Sequence, residues 1–437
     1  MSGDLPATWQ PEAECMDREE LEQVQLERLE ATLSRVHRSV PFYRKRFDEA
    51  GFDPDELRSA EDLRMLPFTA KADLRESYPY GLFAVPLRDV VRLHASGGAG
   101  SAAIVMGYTR NDIRTWSNLM ARLLVAGGVT KDDVIQITFD YGLFPGAFGV
   151  HYGAERLGAS VIPSSSGNTK RQIKIMQDYK TTALVSTPSY AVHLADAVVE
   201  AGLNANALSL RRALVGGEPW SEAMRRNIQE RLNVTVTDNY SLSEVMGPGI
   251  AGECLERHGL HVNEDHFLVE VVDPNTLAPV PPGQPGELVL TTLTKEAFPL
   301  VRYRTRDLTA LIPEPCPCGR TSVRMRRIDR RSDDMLVIRS VNVFPSQVEA
   351  VLRDVQGVEP LYRIVLERKR ALDQATVLVA LTQSDFFDEM KRQAEFRERL
   401  RRRLASELGV SLEVKLVERK TLASQSPAER VQDLRKW

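Results

Sequence analysis

The sequence predicts an α/β protein in which a large N-terminal domain with largely parallel sheets precedes a small C-terminal α+β cap. A chain of 437 residues is long enough for one large domain and one small one. Its middle part alternates short apolar runs with helical segments, a pattern typical of parallel strands buried on both faces. An arginine-rich stretch then ends near residues 329–333, and a new βα pattern begins. Together these observations predict domains at 1–332 and 333–437.

The large domain is predicted to open with a helix. Asp17 and Glu20 have the spacing of a capping box, and apolar residues recur on one side of the segment that follows. A second helix is predicted over 221–232. Short apolar runs predict buried strands at 134–139, 183–186 and 212–217, and a further strand is predicted at 287–290, after a turn rich in proline and glycine.

The cap is predicted to combine two helices with several strands. The pattern indicates a strand after residue 334, helix 345–354, strands within 361–382, helix 386–408 and a strand at 412–418. This order is typical of a small α+β unit.

Composition excludes several classes of function. The net charge of −3 gives no general attraction to nucleic acid. No apolar run reaches the length of a membrane span, and the first residues lack the pattern of a signal peptide. Four cysteines in a chain of this size do not make a disulfide framework, so a reducing cytoplasm is the simplest compartment.

Residues 94–109 have the glycine spacing of a phosphate-binding loop but little of its polar chemistry. Glycines such as Gly98 let backbone N–H groups approach a phosphate, and Ser96 and Ser101 supply hydroxyls. Alanines occupy positions 102 and 103, where a cation would help to hold a triphosphate. Taken alone, the stretch is more typical of a flexible loop.

Five motifs follow this loop in a fixed order, at 240–249, 291–297, 303–308, 331–339 and 341–347. In order and spacing they closely resemble the phenylacetate–coenzyme A ligase family of adenylate-forming enzymes, over nearly the whole chain. Members of that family join an aryl acid to ATP, release pyrophosphate and pass the acyl group from AMP to coenzyme A. The resemblance therefore implies ATP, AMP, Mg²⁺ and coenzyme A as cofactors.

The resemblance assigns nucleotide-binding roles to residues of these motifs. Tyr240 is expected to stack on adenine, and Asp307 is expected to accept hydrogen bonds from ribose with support from Arg327. Glu244 is expected to associate with Mg²⁺. The alternatives are a structural tyrosine, a surface Arg–Asp pair and a glutamate that favours a helix dipole. Further residues expected at the nucleotide or coenzyme A are Ser96, Gly98, Gly217, Glu218, Asp238, Ser243 and Asn342.

The cap is expected to take part in catalysis. Asp333 matches the hinge about which the family's cap rotates between the two half-reactions. Ser340 lies in the loop that lines the pantetheine tunnel in the family, where relatives have glycine. Because serine is small, we expect the tunnel to remain open.

An aromatic- and glycine-rich stretch is expected to bind the acyl group. In the family these segments line a slot for a flat aromatic acid, and phenylacetate, benzoate and anthranilate all fit this inference. For any single aromatic side chain, core packing is the alternative. The substrate residues predicted in this way are Phe139, Tyr141, Gly142, Phe144, His151 and Gly216.

Two departures from the family pattern weaken the prediction of adenylation. The phosphate loop lacks the family's threonines and lysine, and the family's C-terminal catalytic lysine falls on Pro427, which offers no donor. Loss of one preorganised donor commonly lowers the rate about 10²–10³-fold. Lys420 and Arg430 are nearby basic residues that offer a replacement.

Four side chains form a candidate zinc site. Cys316 and Cys318 flank a tight turn, and Cys254 and His261 lie upstream. Three thiolates and one imidazole would make a closed, structural tetrahedral site. His258 is an alternative fourth ligand, and free buried thiols are the alternative to a metal site.

Three functions remain open at this point. An acyltransferase that moves an aryl group from coenzyme A to another thiol, such as the pantetheine of a carrier protein, is slightly favoured by the lost phosphate chemistry. An ATP-dependent aryl–coenzyme A ligase is the alternative, and a non-catalytic relative that binds aryl–coenzyme A ranks third. A basic helix around 391–403 is a candidate docking surface for an acidic carrier protein or simply a solvated face. The resemblance also implies a homodimer.

Overall fold

The computed structural model describes residues 8–96, 103–328, 330–339, 341–355, 357–369, 372–381, 390–422 and 430–435. Its helices, in chain order, are α1 Pro11–Glu14, α2 Arg18–Ser39, α3 Pro41–Ala50, α4 Lys71–Glu76, α5 Arg110–Ala126, α6 Gly146–Leu157, α7 Thr169–Asp178, α8 Pro188–Glu200, α9 Glu222–Leu232, α10 Pro345–Arg353, α11 Met390–Leu408 and α12 Arg419–Leu422.

The strands of the large domain are β1 Arg92–Ser96, β2 Ile104–Tyr108, β3 Val134–Ile137, β4 Ser160–Ile162, β5 Ala183–Ser186, β6 Arg212–Gly216, β7 Thr235–Leu242, β8 Gly247–Glu253, β9 Leu260–Val262, β10 Phe267–Val272, β11 Gly286–Thr292, β12 Tyr303–Thr309, β13 Leu311–Ile312 and β14 Arg324–Met325. The remaining strands are β15 Leu336–Ile338, β16 Val341–Val343, β17 Val358–Lys369, β18 Leu372–Leu381, β19 Glu413–Val417 and β20 Val431–Asp433.

The predicted α/β class is confirmed by a nine-stranded sheet of order β13-β14-β9-β8-β7-β6-β5-β3-β4. The strands from β4 to β7 pair in parallel, and their apolar residues are buried beneath helices. The strands from β7 to β13 pair antiparallel, a feature that the sequence pattern did not reveal. The parallel half places β6 and β7 side by side, so that their carboxyl ends meet at one edge of the sheet.

Two smaller antiparallel sheets complete the large domain. Strands β1 and β2 form a hairpin on either side of the glycine-rich loop, whose residues 97–102 lie outside the described residues. Strands β10, β11 and β12 form a three-stranded sheet. This sheet contributes Asp307 to the site described below.

The N-terminal helix begins as predicted at Asp17, but its cap differs in detail. The Asp17 side chain accepts a 2.9 Å hydrogen bond from the backbone N–H of Glu19. Among the described residues, Glu20 makes no reciprocal bond to the cap, so the prediction of a capping box is wrong. The apolar side of α2 is buried as expected, because Leu21, Leu29 and Leu33 pack into the core.

The C-terminal residues form a four-stranded sheet of order β19-β18-β17-β20 with helices α10 and α11 packed against it. A separate apolar cluster that includes Val348, Tyr362, Val377 and Leu404 holds this unit together. The predicted helices and strands are present among the described residues, although residues 386–389 of the helix predicted at 386–408 lie outside them. Strand β20 is an addition that pairs in parallel with β17. The boundary at Asp333 stays a prediction.

Within the part of the chain that the structure describes, none of the helices has the length and apolar character needed to cross a bilayer.

Candidate active site

Tyr240 and Asp307 form the centre of the candidate nucleotide site. Tyr240 lies near the end of β7, and its hydroxyl donates a 2.6 Å hydrogen bond to Oδ2 of Asp307 on β12. Arg331 donates to the other carboxylate oxygen, Oδ1. Burial raises the pKa of Asp307, although Arg331 opposes that rise. The two residues that the sequence assigned to one nucleotide are therefore in direct contact.

Arg331 also connects this centre to the predicted hinge. Its Nε donates to Oδ1 of Asp333 at 2.8 Å, so one guanidinium bridges Asp307 and Asp333. Sequence reasoning assigned support of Asp307 to Arg327 instead. The structure places the Arg327 guanidinium 4.8 Å from the Trp220 ring and 3.2 Å from a carboxylate oxygen of Glu222. The position of Arg331 two residues before the hinge was the signal that could have identified it.

Glu244 lies in a buried cluster with Ser96 and Lys71. The Ser96 hydroxyl donates to Glu244 Oε1 at 3.0 Å, and Lys71 Nζ lies 3.1 Å from the same oxygen. Burial acts to raise the pKa of Glu244, but Lys71 and Ser96 together lower it below its ordinary value. The side chain is therefore an anion at neutral pH. Sequence reasoning missed Lys71, which begins the short helix α4 far away in the chain.

The free oxygen of Glu244 fits the expected magnesium ion. Oε2 is buried and has no hydrogen-bond partner among the described residues. An anionic oxygen in that state is a suitable ligand for a hard cation that also binds substrate phosphates. Glu244 would therefore hold the ion.

The large domain contains an apolar cavity, as the acyl-pocket prediction requires. Phe139, Phe144 and Gly216 line it, together with aliphatic side chains such as Leu214 and Val150. Gly216 allows a close approach of β7, since a Cβ atom there would lie 2.3 Å from the carbonyl oxygen of Asn239. The cavity wall is almost entirely apolar, which suits an aromatic ring.

Three of the predicted substrate residues do not line this cavity. The Tyr141 hydroxyl is 3.2 Å from Nδ1 of His151, and the Tyr141 ring packs edge-on against Phe148. The other ring nitrogen of His151 is 3.2 Å from Glu155. Gly142 has open space where a side chain would project. Tyr141 and His151 thus form a hydrogen bond with each other outside the pocket.

A second cavity adjoins the acyl pocket and extends to the cap. Gly217, Asn239 and Ser241 line both cavities, so the two spaces meet at these residues. The second cavity contains further predicted residues, namely Glu218, Asp238, Tyr240, Asp307 and Asn342. This junction is where the carboxyl group of a bound acid would meet a nucleotide.

Two buried acids in this second cavity have shifted pKa values. Burial and the nearby Glu253 raise the pKa of Asp238 to about 7. Burial raises the pKa of Glu218 to about 7 as well. Ser243 is buried next to Glu244, whereas Gly98, Ser340 and Pro427 lie outside the described residues.

The predicted metal ligands come together in the large domain, and none of them lines either cavity. The ligand atoms of Cys254, His261, Cys316 and Cys318 all lie within 4.8 Å of one another, and all four side chains are buried. Sγ of Cys254 is 3.7 Å from Sγ of Cys316, and Sγ of Cys318 is 3.4 Å from Nε2 of His261. His258, the alternative ligand, is exposed.

One sulfur–sulfur separation in the cluster matches that expected of a tetrahedral zinc site. Zn–S bonds of about 2.3 Å separate two sulfur ligands by about 3.8 Å, close to the Cys254–Cys316 separation. The Arg320 guanidinium lies 3.7 Å from Sγ of Cys318 and donates to Glu14 at 2.8 Å. A cation so placed would offset the excess negative charge of three thiolates around one divalent ion.

The chain matches two family models. The model described as AMP-binding enzyme covers residues 93–293, and that of the AMP-binding enzyme C-terminal domain covers residues 340–435. Over its length the chain is 47% identical to a phenylacetate–coenzyme A ligase of Thermus thermophilus, with 94% of this chain and 95% of the relative covered. Identity to a phenylacetate–coenzyme A ligase of Escherichia coli is 46%, with 95% of each covered.

This chain is similar to solved structures of a 2-hydroxyisobutyryl–coenzyme A ligase, which is 30% identical in sequence. The TM-score depends on the conformational state of that ligase. The TM-score is 0.91 for the thioesterification state, which contains 2-hydroxyisobutyryl-AMP and coenzyme A, covering 98% of this chain and 92% of the other. For the postadenylation state the TM-score falls to 0.71, covering 97% and 91%. The described arrangement is therefore more similar to the thioesterification state of that enzyme than to its postadenylation state.

Proposed function

Because this chain belongs to the phenylacetate–coenzyme A ligase family of AMP-binding enzymes, we propose that it activates an aromatic carboxylic acid as an acyl-adenylate and transfers it to coenzyme A. ATP would be consumed, and AMP and pyrophosphate released. The observation that carries this proposal is the junction of the two cavities at Gly217, Asn239 and Ser241. An apolar slot opens there onto a cavity lined by Tyr240 and Asp307.

In the first half-reaction, the chain's own groups bind and orient the acid and the nucleotide. The apolar slot holds the ring, so that the carboxylate points toward the junction. Lys71 adds a positive charge beside Glu244, where the loop and tail of this chain lack the family's lysines. Magnesium, when bound at Glu244, would neutralise phosphate charge.

In the second half-reaction, the cap supplies part of the wall around the reacting carbon. Asn342 on β16 and Val337 on β15 line the cavity that also contains Tyr240. The Phe344 ring lies 5.2 Å from Lys71 Nζ and 5.1 Å from the Arg75 guanidinium, which joins the cap to α4. This closed arrangement supports thioester formation in the described state.

Acyl transfer between coenzyme A and a second thiol is the other candidate function. The sequence slightly favoured it, because Pro427 and Ala102 replace lysines needed mainly for adenylation. The comparisons support the ligase better, since relatives 46–47% identical over nearly the whole chain are ligases by name. They also favour an enzyme over a non-catalytic binding protein.

We also propose a structural zinc ion at Cys254, His261, Cys316 and Cys318. The close approach of three buried sulfur atoms and one imidazole nitrogen supports it. Such an ion would join the ends of β8 and β9 to the turn at 316–319 and would take no part in the chemistry.

Partners remain proposals of lower rank. A carrier protein is a candidate acceptor only for the transfer reaction. On the basic helix α11, Arg401 and Arg402 both pair with Glu398, and Arg403 lies 3.6 Å from Glu407, which favours a solvated face over a docking surface. The homodimer and the cytoplasmic location stay predictions.

Release of AMP and pyrophosphate tests the proposal. Purified protein is incubated with ATP, Mg²⁺, coenzyme A and a panel of aryl acids. AMP formation that depends on the acid, with one aryl–coenzyme A formed per AMP, is the expected result. If no AMP forms with any acid while an aryl group passes from coenzyme A to pantetheine, the chain is a transferase.

A further inference from the structure

Glu218 has an unusual position at the junction of the two cavities. It follows Gly217, which has a φ of +85° and turns the chain away from the end of β6. The side chain is 8% exposed, and its Oε1 accepts a 2.6 Å hydrogen bond from the backbone N–H of Ser189 in the first turn of α8. Its Oε2 is buried and has no hydrogen-bond partner among the described residues.

A buried carboxylate oxygen without a hydrogen-bond partner lowers stability unless a ligand binds to it. A buried acceptor without a partner costs about 1–3 kcal/mol, and more if it is charged. No described side chain of the binding machinery pairs with Oε2. In the nucleotide half of the cavity, Tyr240, Asp307 and Arg331 satisfy one another without Glu218. Glu218 is therefore available for a group that arrives with a ligand.

The groups that act on Glu218 come from both domains. Ser189 on α8 donates its N–H, while Arg368 and Asp373 approach from the β17–β18 hairpin of the cap. Burial is the largest influence and raises the pKa of Glu218. Asp373 raises this pKa further, whereas Ser189 and Arg368 lower it. The net result is a pKa of about 7.

The incoming thiol of coenzyme A is the ligand group that best fits this position. The loop at 338–342 is expected to line the thiol's path, and Asn342 at its end lines the same cavity as Glu218. Gly217, the neighbour of Glu218, lines the acyl pocket as well. A thiol that enters past Asn342 therefore reaches the acyl carbon beside Glu218.

We propose that Glu218 is the general base that accepts the thiol proton during thioester formation. The inference rests on the proposed function and identifies the residue that serves its second half-reaction. The S–H proton passes to Oε2 as the sulfur forms a bond to the acyl carbon. The bond from that carbon to the AMP phosphate oxygen breaks, and AMP leaves with the electron pair. Glu218 then returns the proton to solvent.

The environment of Glu218 suits this role. A carboxylate with its ordinary pKa is a weak base toward a thiol, whereas a base with a pKa close to the working pH is near the optimum. In the described arrangement, Asp373 and Arg368 of the cap hairpin both act on Glu218.

The test separates the second half-reaction from the first. Chemically synthesised aryl-adenylate and coenzyme A are mixed with the protein, and single-turnover thioester formation is followed between pH 5.5 and 9. The wild-type rate should rise with pH through an ionisation near 7. Glu218→Gln should lack this ionisation and lose about 10²–10⁴-fold in rate, a larger loss than in acid-dependent exchange of pyrophosphate into ATP. Glu218→Asp should keep the ionisation at a reduced rate.

The matched control is Glu230→Gln, which makes the same change on the exposed side of α9 and should behave as wild type. A wild-type profile without an ionisation near 7 would overturn the assignment even if Glu218→Gln does not fold. Equal losses in both half-reactions would also overturn it, because they indicate a structural role. If wild-type protein forms no thioester from the adenylate, the proposed function itself fails. If it does and Glu218→Gln matches it, only this inference fails.

Discussion

Lys71 Nζ lies 3.1 Å from Oε1 of Glu244, so that a cation from the N-terminal region neutralises the carboxylate expected to hold magnesium. The pair is nearly buried, since the side chain of Lys71 is 20% exposed and that of Glu244 only 1%. Both flank the β1 end at which the phosphate loop begins. Lys71 is thus a basic side chain that the described structure places beside Glu244.

Replacement of this lysine should impair the first half-reaction. For Lys71→Met we expect acid-dependent AMP release to fall by about 10²-fold, the usual cost of one preorganised donor. Single-turnover pyrophosphate release from ATP measures the effect. Lys170→Met, a change on the exposed start of α7, is the control and should retain the wild-type rate. A wild-type rate in Lys71→Met would show that another cation serves the phosphates.

The same substitution should lower stability in a pH-dependent way. Without Lys71, Glu244 is a buried charge without a counter-ion, which costs up to about 3 kcal/mol of unfolding free energy. Because the folded-state pKa of Glu244 is lowered, its contribution is present above the unfolded pKa of about 4.3 and is lost as the pH falls through the folded value. Urea unfolding should therefore show a larger deficit at pH 7 than at pH 4. The double variant Lys71→Met/Glu244→Gln should recover much of the deficit at pH 7.

Glu218 should show the opposite pH dependence. Its folded-state pKa of about 7 lies above the unfolded value, so the stabilisation is complete below about pH 4.3 and is lost as the pH rises through 7. Glu218→Gln removes this ionisation while an amide oxygen can still accept the Ser189 N–H. We expect the variant to be more stable than wild type at pH 8 and similar to it at pH 5, as measured by urea unfolding. Equal differences at both pH values would mean that Glu218 titrates normally.

The large domain was predictable where local pattern and tertiary environment agree. The strands β5 and β6 are nearly continuous apolar runs, so apolar side chains lie on both faces of each strand. Such strands are typical of a parallel sheet that is buried on both faces. The antiparallel strand β8 contains several glycines, and β9 is only three residues long with a histidine at its centre. Their pairing depends on neighbours that a local pattern does not contain.

The candidate site was predictable by residue type but not by partner. Cys254, Cys316 and Cys318 could be grouped because cysteines are rare in this chain. The pairing of Lys71 with Glu244, and of Arg331 rather than Arg327 with Asp307, depends on contacts between distant segments. The motifs identify the carboxylates of the site, but they do not identify which of several arginines or lysines pairs with each carboxylate.

The proposed zinc site predicts a metal content and a stability effect. Elemental mass spectrometry should detect about one zinc ion per chain. Cys318→Ser should lose the ion and melt at a lower temperature, because a structural zinc ion contributes to folding free energy. Cys15→Ser is the control, since Cys15 is exposed and lies outside the cluster within the described structure. The proposal would be contradicted if wild-type protein is purified without bound metal and its melting temperature is the same with and without a chelator.

The shape of the acyl pocket predicts a specific defect for a small change. A Cβ atom on Gly146 would lie 2.6 Å from the ring of Phe144, and both residues line the pocket, so Gly146→Ala must displace that ring and change the shape of the pocket. We expect the KM for the aryl acid to rise by about tenfold or more, as for about 1–3 kcal/mol of overpacking, with little change in the KM for ATP. Gly142→Ala is the matched variant on the same loop, because its Cβ would meet nothing within 4 Å. The steady-state KM values for both substrates, measured in parallel, decide the matter. Equal effects of the two alanines would place the ring-binding slot elsewhere, whereas a selective defect in Gly146→Ala would support the pocket formed by Phe139, Phe144 and Gly216.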